Sequence, residues 1–327
     1  MANYVLGIDG GGTKTHSALF DVYGNKIDFV QWGTTSHEVL EGGYKGFEVE
    51  MRKLIYNILN RNNIKIDQIV SSIFGLAGVD TREQQRIISQ VIKDIGFEKF
   101  VVCNDGYLGV KAGSRDGVGI CVINGTGNTV AGINSLNKML QIGGQGEYTG
   151  DLGGGGGIGL KAIKAVYNYL FKCDEYTIMS EILFERLNID SKFEFIETII
   201  DKENRGDINI STLSEVVFLA ANREDKVALK ILEAIGIDGG KAIKGMLYEL
   251  NFPRENYIDI ILAGSVIVKG ENSTLVDYIK LEAEAQREYP KLNFILLEKP
   301  PVTGAVIWAL ENIGHNENHF EKVTAQL

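Results

Sequence analysis

Apolar and polar positions along the first 113 residues follow two periods. Four short apolar runs are typical of strands and cover residues 4–8, 17–22, 68–76 and 100–103. Two segments carry apolar residues three and four positions apart, which predicts helices over 46–59 and 81–95. A glycine-rich turn joins the first two runs, so we expect them to pair as a hairpin. The order strand, strand, helix, strand, helix, strand predicts an α/β layer.

The same pattern begins again after residue 118. Strands are predicted at 119–123, 130–133, 139–142, 259–262 and 293–297. Helices are predicted at 158–171, 275–287 and 304–312, and a long helical region reaches residue 250. Each half therefore opens with a strand, a turn of small residues and another strand. We interpret this as a duplicated α/β fold whose halves face a shared cleft, with the boundary near 114–117.

Composition narrows the class of protein. The 327 residues carry 33 Lys and Arg against 43 Asp and Glu, a formal charge of −10, and no basic run that would favour nucleic acid. No apolar run reaches the ~18 residues of a membrane span, and the first residues lack the basic and apolar regions of a secretion signal. The cysteines, at 103, 121 and 173, form no metal-binding pair. We expect a cytoplasmic protein without membrane or nucleic-acid partners.

Glycine is unusually frequent, with 39 Gly beside 4 Pro, and many glycines cluster between apolar runs. The first cluster lies in Asp9–Thr15, directly after a predicted strand. Backbone N–H groups of such a turn suit phosphate oxygens, the Thr13 hydroxyl adds a donor, and Asp9 at the strand end can hold Mg²⁺. The spacing fits neither the Walker nor the dinucleotide pattern. A hairpin that binds nothing is the alternative.

A second turn of small residues, Gly125–Asn128, follows the first predicted strand of the second half. One such turn is weak evidence for a ligand. Two of them, each at the start of an α/β half, predict a pair of binding loops for one polyphosphate.

Between the two turns, Asp105 follows the apolar run 100–103. A carboxylate at a strand end that opens into a cleft can accept the proton of a sugar hydroxyl that attacks a γ-phosphate. Because Asp-Gly is also common in plain turns, the argument for a catalytic base depends on the two flanking phosphate turns.

Two further glycine segments complete the candidate site. Residues 143–157 are mostly glycine, which leaves Gln145, Glu147 and Asp151 as the strongly polar side chains that would contact sugar hydroxyls. Ala263–Ser265 follows an isoleucine-rich strand and would let an adenine ring lie against bare backbone. A disordered spacer and a turn without ligand are the respective alternatives.

Taken in order, these segments resemble the N-acetylglucosamine kinase branch of the sugar kinase/Hsp70/actin superfamily, within the BadF/BadG/BcrA/BcrD ATPase family. The resemblance runs from residue 4 to about 313 and rests on Asp9–Thr15, Asn104-Asp105, Asn124–Gly127, Gly143–Gly146, Gly150–Gly153 and Ala263–Ser265. It implies two ribonuclease H-like (actin-like ATPase) domains around a central cleft, residues 1–115 and 116–303. The second domain would carry a helical insertion, and a C-terminal helix at about 304–314 would return to the first domain.

The resemblance also implies a reaction, the ATP- and Mg²⁺-dependent phosphorylation of N-acetylglucosamine at its 6-hydroxyl in cell-wall sugar salvage. Asp105 would be the catalytic base, and Asp9 would bind the metal. ATP would contact Gly11, Gly12, Thr13, Lys14, Gly125, Thr126, Gly127, Asn128, Gly264 and Ser265. The amino sugar would contact Ser36, His37, Gly78, Asp105, Gly144, Gln145 and Asp151. A homodimer stays open as the assembly.

Three positions depart from the family pattern. Ser36 stands where members often have Asn, Gln145 where animal-type kinases have an aromatic residue, and Leu152 where an acidic residue is common. Replacing an aromatic residue by Gln removes bulk and adds a donor and an acceptor. We therefore predict that N-acetylmuramic acid, which carries a lactyl ether at O3, is also a substrate. Gln145, the loop N–H groups and a cationic His37 would bind the lactyl carboxylate.

Two other functions stay open. The same family includes ATPase activators of acyl-CoA dehydratases and reductases, which hold an iron–sulfur cluster by cysteines at a homodimer interface. Cys103 and Cys121 lie on predicted buried strands, which argues against that role. The other function is a non-catalytic sugar or nucleotide sensor, but the sequence carries neither a helix-turn-helix nor a Cys-rich zinc motif.

Overall fold

The computed structural model describes residues 3–151, 153–253, 255–285, 290–314 and 319–327. Within these residues the chain forms two mixed five-stranded sheets covered by helices. The predicted α/β class is therefore confirmed. Leu152, one of the three departures from the family pattern, lies outside the described residues.

The two sheets share one topology. The first contains β1 (Tyr4–Gly10), β2 (Lys14–Asp21), β3 (Lys26–Gly33), β4 (Ile69–Leu76) and β5 (Phe100–Cys103) in the order β3-β2-β1-β4-β5. The second contains β6 (Gly119–Asn124), β7 (Asn128–Ile133), β8 (Met139–Gly143), β9 (Tyr257–Ala263) and β10 (Lys291–Leu296) in the order β10-β9-β6-β7-β8. In each sheet the first strand pairs antiparallel with its hairpin partner and parallel with the next strand on its other side.

The helices follow the strands in chain order. They are α1 (Tyr44–Arg61), α2 (Arg82–Ile95), α3 (Gly106–Gly113), α4 (Gly155–Lys172), α5 (Met179–Leu187), α6 (Phe195–Asn204), α7 (Ser214–Ala221), α8 (Lys226–Leu250), α9 (Ser265–Lys269), α10 (Thr274–Glu284), α11 (Val302–Glu311) and α12 (Phe320–Thr324). At the start of α2, the Thr81 hydroxyl accepts the Gln84 N–H, and the Gln84 side chain accepts the Thr81 N–H. This capping box fixes where the helix begins.

Strand β3 and helix α3 are among the described elements that the sequence pattern does not predict, as are the short helices α9 and α12. Strand β3 lies at the edge of the first sheet, and only Val30 of its eight residues is buried, so it shows no apolar run. Helix α3 follows Asp105 directly and is buried along nearly its whole length, so it shows no polar face and no helical period. The long helical region before residue 250 is divided into four helices, α5 to α8.

Helices α3 and α11 lie between the two sheets. Successive strand residues face opposite sides of a sheet, so Val5 and Ala18 belong to the core around α3 and α11, whereas Leu6 and Leu19 belong to the core under α1 and α2. The core around α3 and α11 also contains Cys121, Ala131 and Ile261 of the second sheet. The opposite face of the second sheet packs on the helices from α4 to α10.

Glycines allow this close packing. The glycines of α3 lie directly against the second sheet: Gly106 against Ala131, Gly109 against Cys121, and Gly113 against Ile261. On the other side, a Cβ at Gly304 of α11 would overlap the Leu108 carbonyl oxygen of α3. Helix α11 also packs on β1, β2 and β4. The segment that follows Asp105 is therefore held between the sheets. Among the described helices, none is both long and apolar enough to cross a membrane.

Candidate active site

Three strands of the first sheet end at one edge and bring polar groups together there. In the parallel register Asp9 of β1 lies beside Gly75 of β4, and Gly75 lies beside Cys103 of β5. The loops after β4 and β5, which carry Asp80 and Asp105, therefore leave the sheet at this edge. Parallel sheets commonly bind ligands outside the carboxyl ends of their strands.

Asp105 lies at the N-terminal end of α3 and is half-buried. The Asn104 side-chain oxygen accepts the Gly106 N–H at 2.8 Å, which fixes the turn that carries Asp105. Burial, followed by the charges of Asp9 and Asp80, raises the pKa of Asp105 to about 7. This carboxylate is therefore a stronger base than an ordinary aspartate and is still substantially ionised at neutral pH.

The first predicted phosphate turn is braced at its base. Gly11 N–H donates to the Lys14 carbonyl at 2.9 Å, and the Thr34 hydroxyl donates to the Gly11 carbonyl at 3.0 Å. Gly12 has open space where a side chain would stand, and Thr13 and Lys14 are exposed. The tip of the turn is thus accessible to a ligand.

Asp9 stands immediately before this turn. Its side chain is 14% exposed, and its Oδ2 lies 3.8 Å from Nδ1 of His16. The described residues contain no cluster of three or more His, Cys, Asp or Glu side chains that would form a complete metal cage. Mg²⁺ typically takes one or two protein carboxylates and completes its shell with phosphate oxygens and water. A single carboxylate beside a phosphate turn fits that pattern.

The second predicted phosphate turn joins β6 to β7 and packs on the start of α4. Gly125 N–H donates to the Gly127 carbonyl at 2.9 Å, and Gly155 N–H donates to the Gly125 carbonyl at 2.8 Å. A Cβ at Gly154 would overlap the Thr126 carbonyl oxygen. The start of an 18-residue helix therefore lies against the turn, and a helix N-terminus favours anions.

The predicted adenosine segment adjoins this second turn. Gly264 has a φ of +92°, and a Cβ there would overlap the Asn124 carbonyl oxygen, so only glycine fits. Ser265 is the exposed first residue of α9. The structure thus joins Gly264, the turn Gly125–Asn128 and the start of α4 in one region.

The residues predicted to hold the amino sugar begin on the loop before α1. His37 stacks on Tyr44 with 4.3 Å between ring centroids, and Ser36 is buried with its hydroxyl accepting the Glu38 N–H. Gly78 has a φ of +79°, and a Cβ there would lie 2.9 Å from His37 Cε1. Burial lowers the pKa of His37 below its ordinary value, which disfavours the cationic form that the sequence led us to expect.

The glycine-rich loop after β8 folds around Asp151. Asp151 Oδ2 accepts the Gln145 N–H at 3.0 Å and also accepts the Thr149 hydroxyl. A Cβ at Gly143 would overlap the other Asp151 oxygen. The Gln145 side chain is exposed. Asp151 thus shapes the loop, and Gln145 is available to a ligand.

Three residues near Asp105 escaped the sequence reasoning: Asp80, Thr129 and Gln141. Asp80 follows β4 as Asp105 follows β5, so the same strand-end argument would have found it. Thr129 lies between the Gly106 and Gly144 backbones. Its buried hydroxyl, like Oδ1 of Asn128, has no hydrogen-bond partner among the residues that the structure describes. These two atoms can therefore take a hydrogen bond from a ligand or from water.

A cavity of about 620 Å³ lies away from this region and includes Val70, Ser71 and Phe100 in its lining. These residues stand at the amino ends of β4 and β5, the edge of the sheet opposite Asp105. We assign this cavity no part in the chemistry.

Two mixed sheets of the same topology, with helices packed between them, define an actin-like fold. The chain belongs to the BadF/BadG/BcrA/BcrD ATPase family, whose sequence model matches residues 6–309. The family resemblance drawn from the sequence motifs is thereby confirmed.

Named relatives cover nearly the whole chain. An N-acetylmuramic acid/N-acetylglucosamine kinase of Clostridium acetobutylicum is 29% identical over 318 residues, which are 94% of this chain and 98% of the relative. An N-acetyl-D-glucosamine kinase of Dictyostelium discoideum is 24% identical over 321 residues, again 94% and 98%. A solved structure of a candidate N-acetylglucosamine kinase from Chromobacterium violaceum superposes with a TM-score of 0.67 at 17% identity, covering 94% of this chain and 99% of that one. It has the same fold.

Proposed function

We propose that this protein is an ATP-dependent amino-sugar kinase that phosphorylates N-acetylglucosamine, and also N-acetylmuramic acid, at the 6-hydroxyl. The observation that carries the proposal is Asp105, a half-buried carboxylate with a pKa of about 7 at the strand ends of the first sheet, whose neighbour Gly106 lies next to Thr129 of the second sheet. The activities named for the Clostridium and Dictyostelium relatives support the choice of amino sugars.

In the proposed reaction, ionised Asp105 accepts the proton of the sugar 6-hydroxyl as that oxygen attacks the γ-phosphorus of ATP. The bond from the γ-phosphorus to the bridging oxygen breaks, and ADP leaves with the electron pair. The proton stays on Asp105 until the product is released. Such a positioned base contributes about 10²- to 10⁴-fold to the rate.

The two glycine turns would hold the triphosphate through backbone N–H groups, at Gly11–Lys14 and Gly125–Asn128. Gly264 and Ser265 would contact the adenosine. Asp9 would hold Mg²⁺, whose positive charge would offset that of the phosphate oxygens.

Ser36, His37, Gly78, Gly144, Gln145 and Asp151 would surround the sugar. Because burial lowers the pKa of His37, the lactyl carboxylate of N-acetylmuramic acid would depend mainly on the Gln145 amide and the loop N–H groups.

The iron–sulfur alternative is not favoured. Cys121 is fully buried and Cys103 is 4% exposed, and burial raises the pKa of both thiols, so neither offers a thiolate to a cluster at a subunit interface. Cys173 is exposed, but it lies in the turn after α4, far along the chain from Cys103 and Cys121.

We place the reaction in the cytoplasm, where ATP is available, and in cell-wall sugar salvage, because N-acetylmuramic acid is a cell-wall sugar. We also propose that residues 1–115 and 116–303 are separate domains and that the helix at about 304–314 belongs with the first. The packing of α11 on β1, β2 and β4 supports this division.

The test is release of ADP from MgATP in the presence of glucose, glucosamine, N-acetylglucosamine, N-acetylmannosamine or N-acetylmuramic acid. We expect turnover with N-acetylglucosamine and N-acetylmuramic acid, loss of turnover when Mg²⁺ is chelated, and a phosphorus coupling at carbon 6 in the product NMR spectrum. ATP hydrolysis at the same rate with and without every sugar would refute the proposal.

A further inference from the structure

Asp80 connects the two halves of the molecule at the candidate site. It lies in the loop that follows β4, a strand of the first sheet. Its Oδ1 accepts the Gln141 Nε2 hydrogen at 2.6 Å, and Gln141 lies on β8 of the second sheet. This bond therefore joins elements from the two sheets next to the candidate base.

The same oxygen also holds the turn that carries Asp105. Asn104 Nδ2 donates to Asp80 Oδ1 at 2.9 Å, and the other end of the Asn104 amide accepts the Gly106 N–H. A continuous set of hydrogen bonds thus runs from Gln141 through Asp80 and Asn104 to the first residue of α3. Asn104 is 3% exposed, so water does not readily replace these bonds.

On the other side, Asp80 borders the glycine-rich loop. Gln141 Nε2 also donates to the Gly143 carbonyl at 3.3 Å. A Cβ at Gly144, whose φ is +89°, would lie 2.9 Å from Asp80 Oδ1. Asp80 thus contacts both the turn of the proposed base and the loop proposed to hold the sugar.

We propose that Asp80 is a positioning residue that sets the distance between the Asn104–Asp105 turn and the Gly143–Gly144 loop, and so aligns the sugar hydroxyl with its base. The inference rests on the proposed function for its catalytic consequence. It rests on the hydrogen bonds alone for the linkage between the two halves.

Asp80 is itself well anchored for this role. Its backbone N–H donates to Gln84 Oε1 at 3.0 Å. The same Gln84 oxygen accepts the Thr81 N–H and so caps the start of α2. Burial raises the pKa of Asp80, while the bonds from Gln141 and Asn104 favour its ionised form. Gln84 therefore holds the Asp80 backbone, and Gln141 and Asn104 hold its carboxylate, as a positioning residue requires.

The first test compares kinetics of three variants. Asp80→Ala removes both bonds, and because a misplacement of ~1 Å can cost about 10²-fold, we expect kcat to fall roughly 10- to 100-fold. We expect the sugar KM to rise and the ATP KM to stay within about twofold, since the hydrogen bonds described for Asp80 go to Asn104, Gln141 and Gln84 and not to the nucleotide turns. Asp80→Asn keeps an acceptor oxygen of the same shape and should restore most of kcat. Asp94→Ala is the matched control, because among the described residues that carboxylate accepts a side-chain bond from Gln90 of the same helix, α2.

The second test does not depend on activity. Hydrogen–deuterium exchange of the ligand-free protein should become roughly threefold faster or more in two separate stretches of Asp80→Ala, residues 104–108 and 141–146. Gln141→Ala cuts the same link from the second sheet and should give the same pattern if Asp80→Ala folds poorly. Asp94→Ala should exchange like the wild type in both stretches.

The outcomes separate the two proposals. If the wild type phosphorylates no amino sugar, the proposed function fails, and faster exchange in both stretches would still support the linkage. If the wild type is active and exchange in Asp80→Ala is unchanged, the inference is overturned, whether or not kcat falls. Faster exchange with unchanged kcat and sugar KM would also overturn it, because alignment of the substrate would then not depend on Asp80.

Discussion

At Asp105, catalysis and stability make opposite demands. A carboxylate enclosed by protein and near two other carboxylates costs free energy when it is ionised. The same surroundings raise its pKa to about 7, which suits proton transfer at neutral pH. The residue is therefore expected to lower the stability of the fold in return for reactivity.

A role for Asp105 as the catalytic base predicts how Asp105→Asn behaves. An amide cannot take up the proton, so kcat should fall about 10²- to 10⁴-fold in a protein that still folds. In the wild type, kcat/KM should rise as pH increases through about 7, because the base acts only when ionised. The measurement is kcat/KM for N-acetylglucosamine between pH 5.5 and 8.5. A variant that keeps more than about a tenth of the wild-type kcat would mean that another group is the base.

The free-energy cost of ionising Asp105 in the folded protein predicts that the same variant unfolds at a higher temperature. Because the folded-state pKa lies above the unfolded value, the wild type loses stability as pH rises from about 4 to about 7, and Asn escapes this loss. We expect a gain on the order of 1–2 kcal/mol at pH 8, or a few degrees in Tm, and a smaller gain at pH 5. Thermal unfolding in EDTA without ligands checks this. Equal changes at both pH values would contradict the burial argument.

Gln145 is the residue at which we expect substrate breadth to be decided. Its side chain is exposed, while its backbone is fixed by Asp151. Gln145→Trp should therefore change the space over the sugar without unfolding the loop, and it should reduce kcat/KM for N-acetylmuramic acid more than for N-acetylglucosamine. Parallel assays with both sugars give the ratio. An equal loss for both would point to a general loss of binding.

At the scale of elements, the second phosphate turn depends on two helix starts. The Gly125 carbonyl is held by the Gly155 N–H of α4, and the Asn124 carbonyl leaves no room beside Gly264 before α9. The turn has few internal bonds of its own, so its shape comes from the elements packed on it. Substitution of a glycine that packs against the turn should therefore change how tightly the protein binds the nucleotide.

We predict that Gly264→Ala weakens ATP binding more than sugar binding. The new Cβ would overlap a backbone oxygen and occupy a left-handed conformation, which together should cost about 1–3 kcal/mol of stability. The ATP KM should rise while the sugar KM stays close to that of the wild type. Gly245→Ala in α8 is the control, because a Cβ there would make only an ordinary contact, 3.4 Å from Ile142 Cδ1. An unchanged ATP KM in Gly264→Ala would remove this segment from the nucleotide site.

At the scale of the whole molecule, the sheets sandwich α3 and α11, and polar contact between the halves includes the Asp80–Gln141 bond. The two phosphate turns start from different sheets. A triphosphate that binds to both turns would draw the two halves towards each other.

We therefore predict that ATP and sugar together close the cleft. Small-angle scattering should give a smaller radius of gyration with N-acetylglucosamine plus a non-hydrolysable ATP analogue than with either ligand alone. Asp105→Asn is a useful second sample, since it should close without turning over. An unchanged radius would indicate a rigid cleft.

The sequence alone determined the parts that depend on neighbours along the chain. Strand β5 matches its predicted bounds, and α2 begins one residue after the predicted Thr81 because that residue is the cap. The two glycine turns and the strand-end position of Asp105 were also readable, since each follows a local change from apolar to small or polar residues. Local periodicity and turn chemistry carry this information.

The remaining features depend on segments that meet only in the folded molecule. Strand β3 forms because β2 offers an edge, and α3 forms as a helix enclosed by two sheets, so neither shows a period of its own. Asp80 and Gln141 stand 61 residues apart, and no local pattern pairs them. The lowered pKa of His37 follows from burial, and the raised pKa of Asp105 follows from burial and from the charges of Asp9 and Asp80. Desolvation and charge interactions depend on which segments meet in space, and that is fixed only when the two sheets pack.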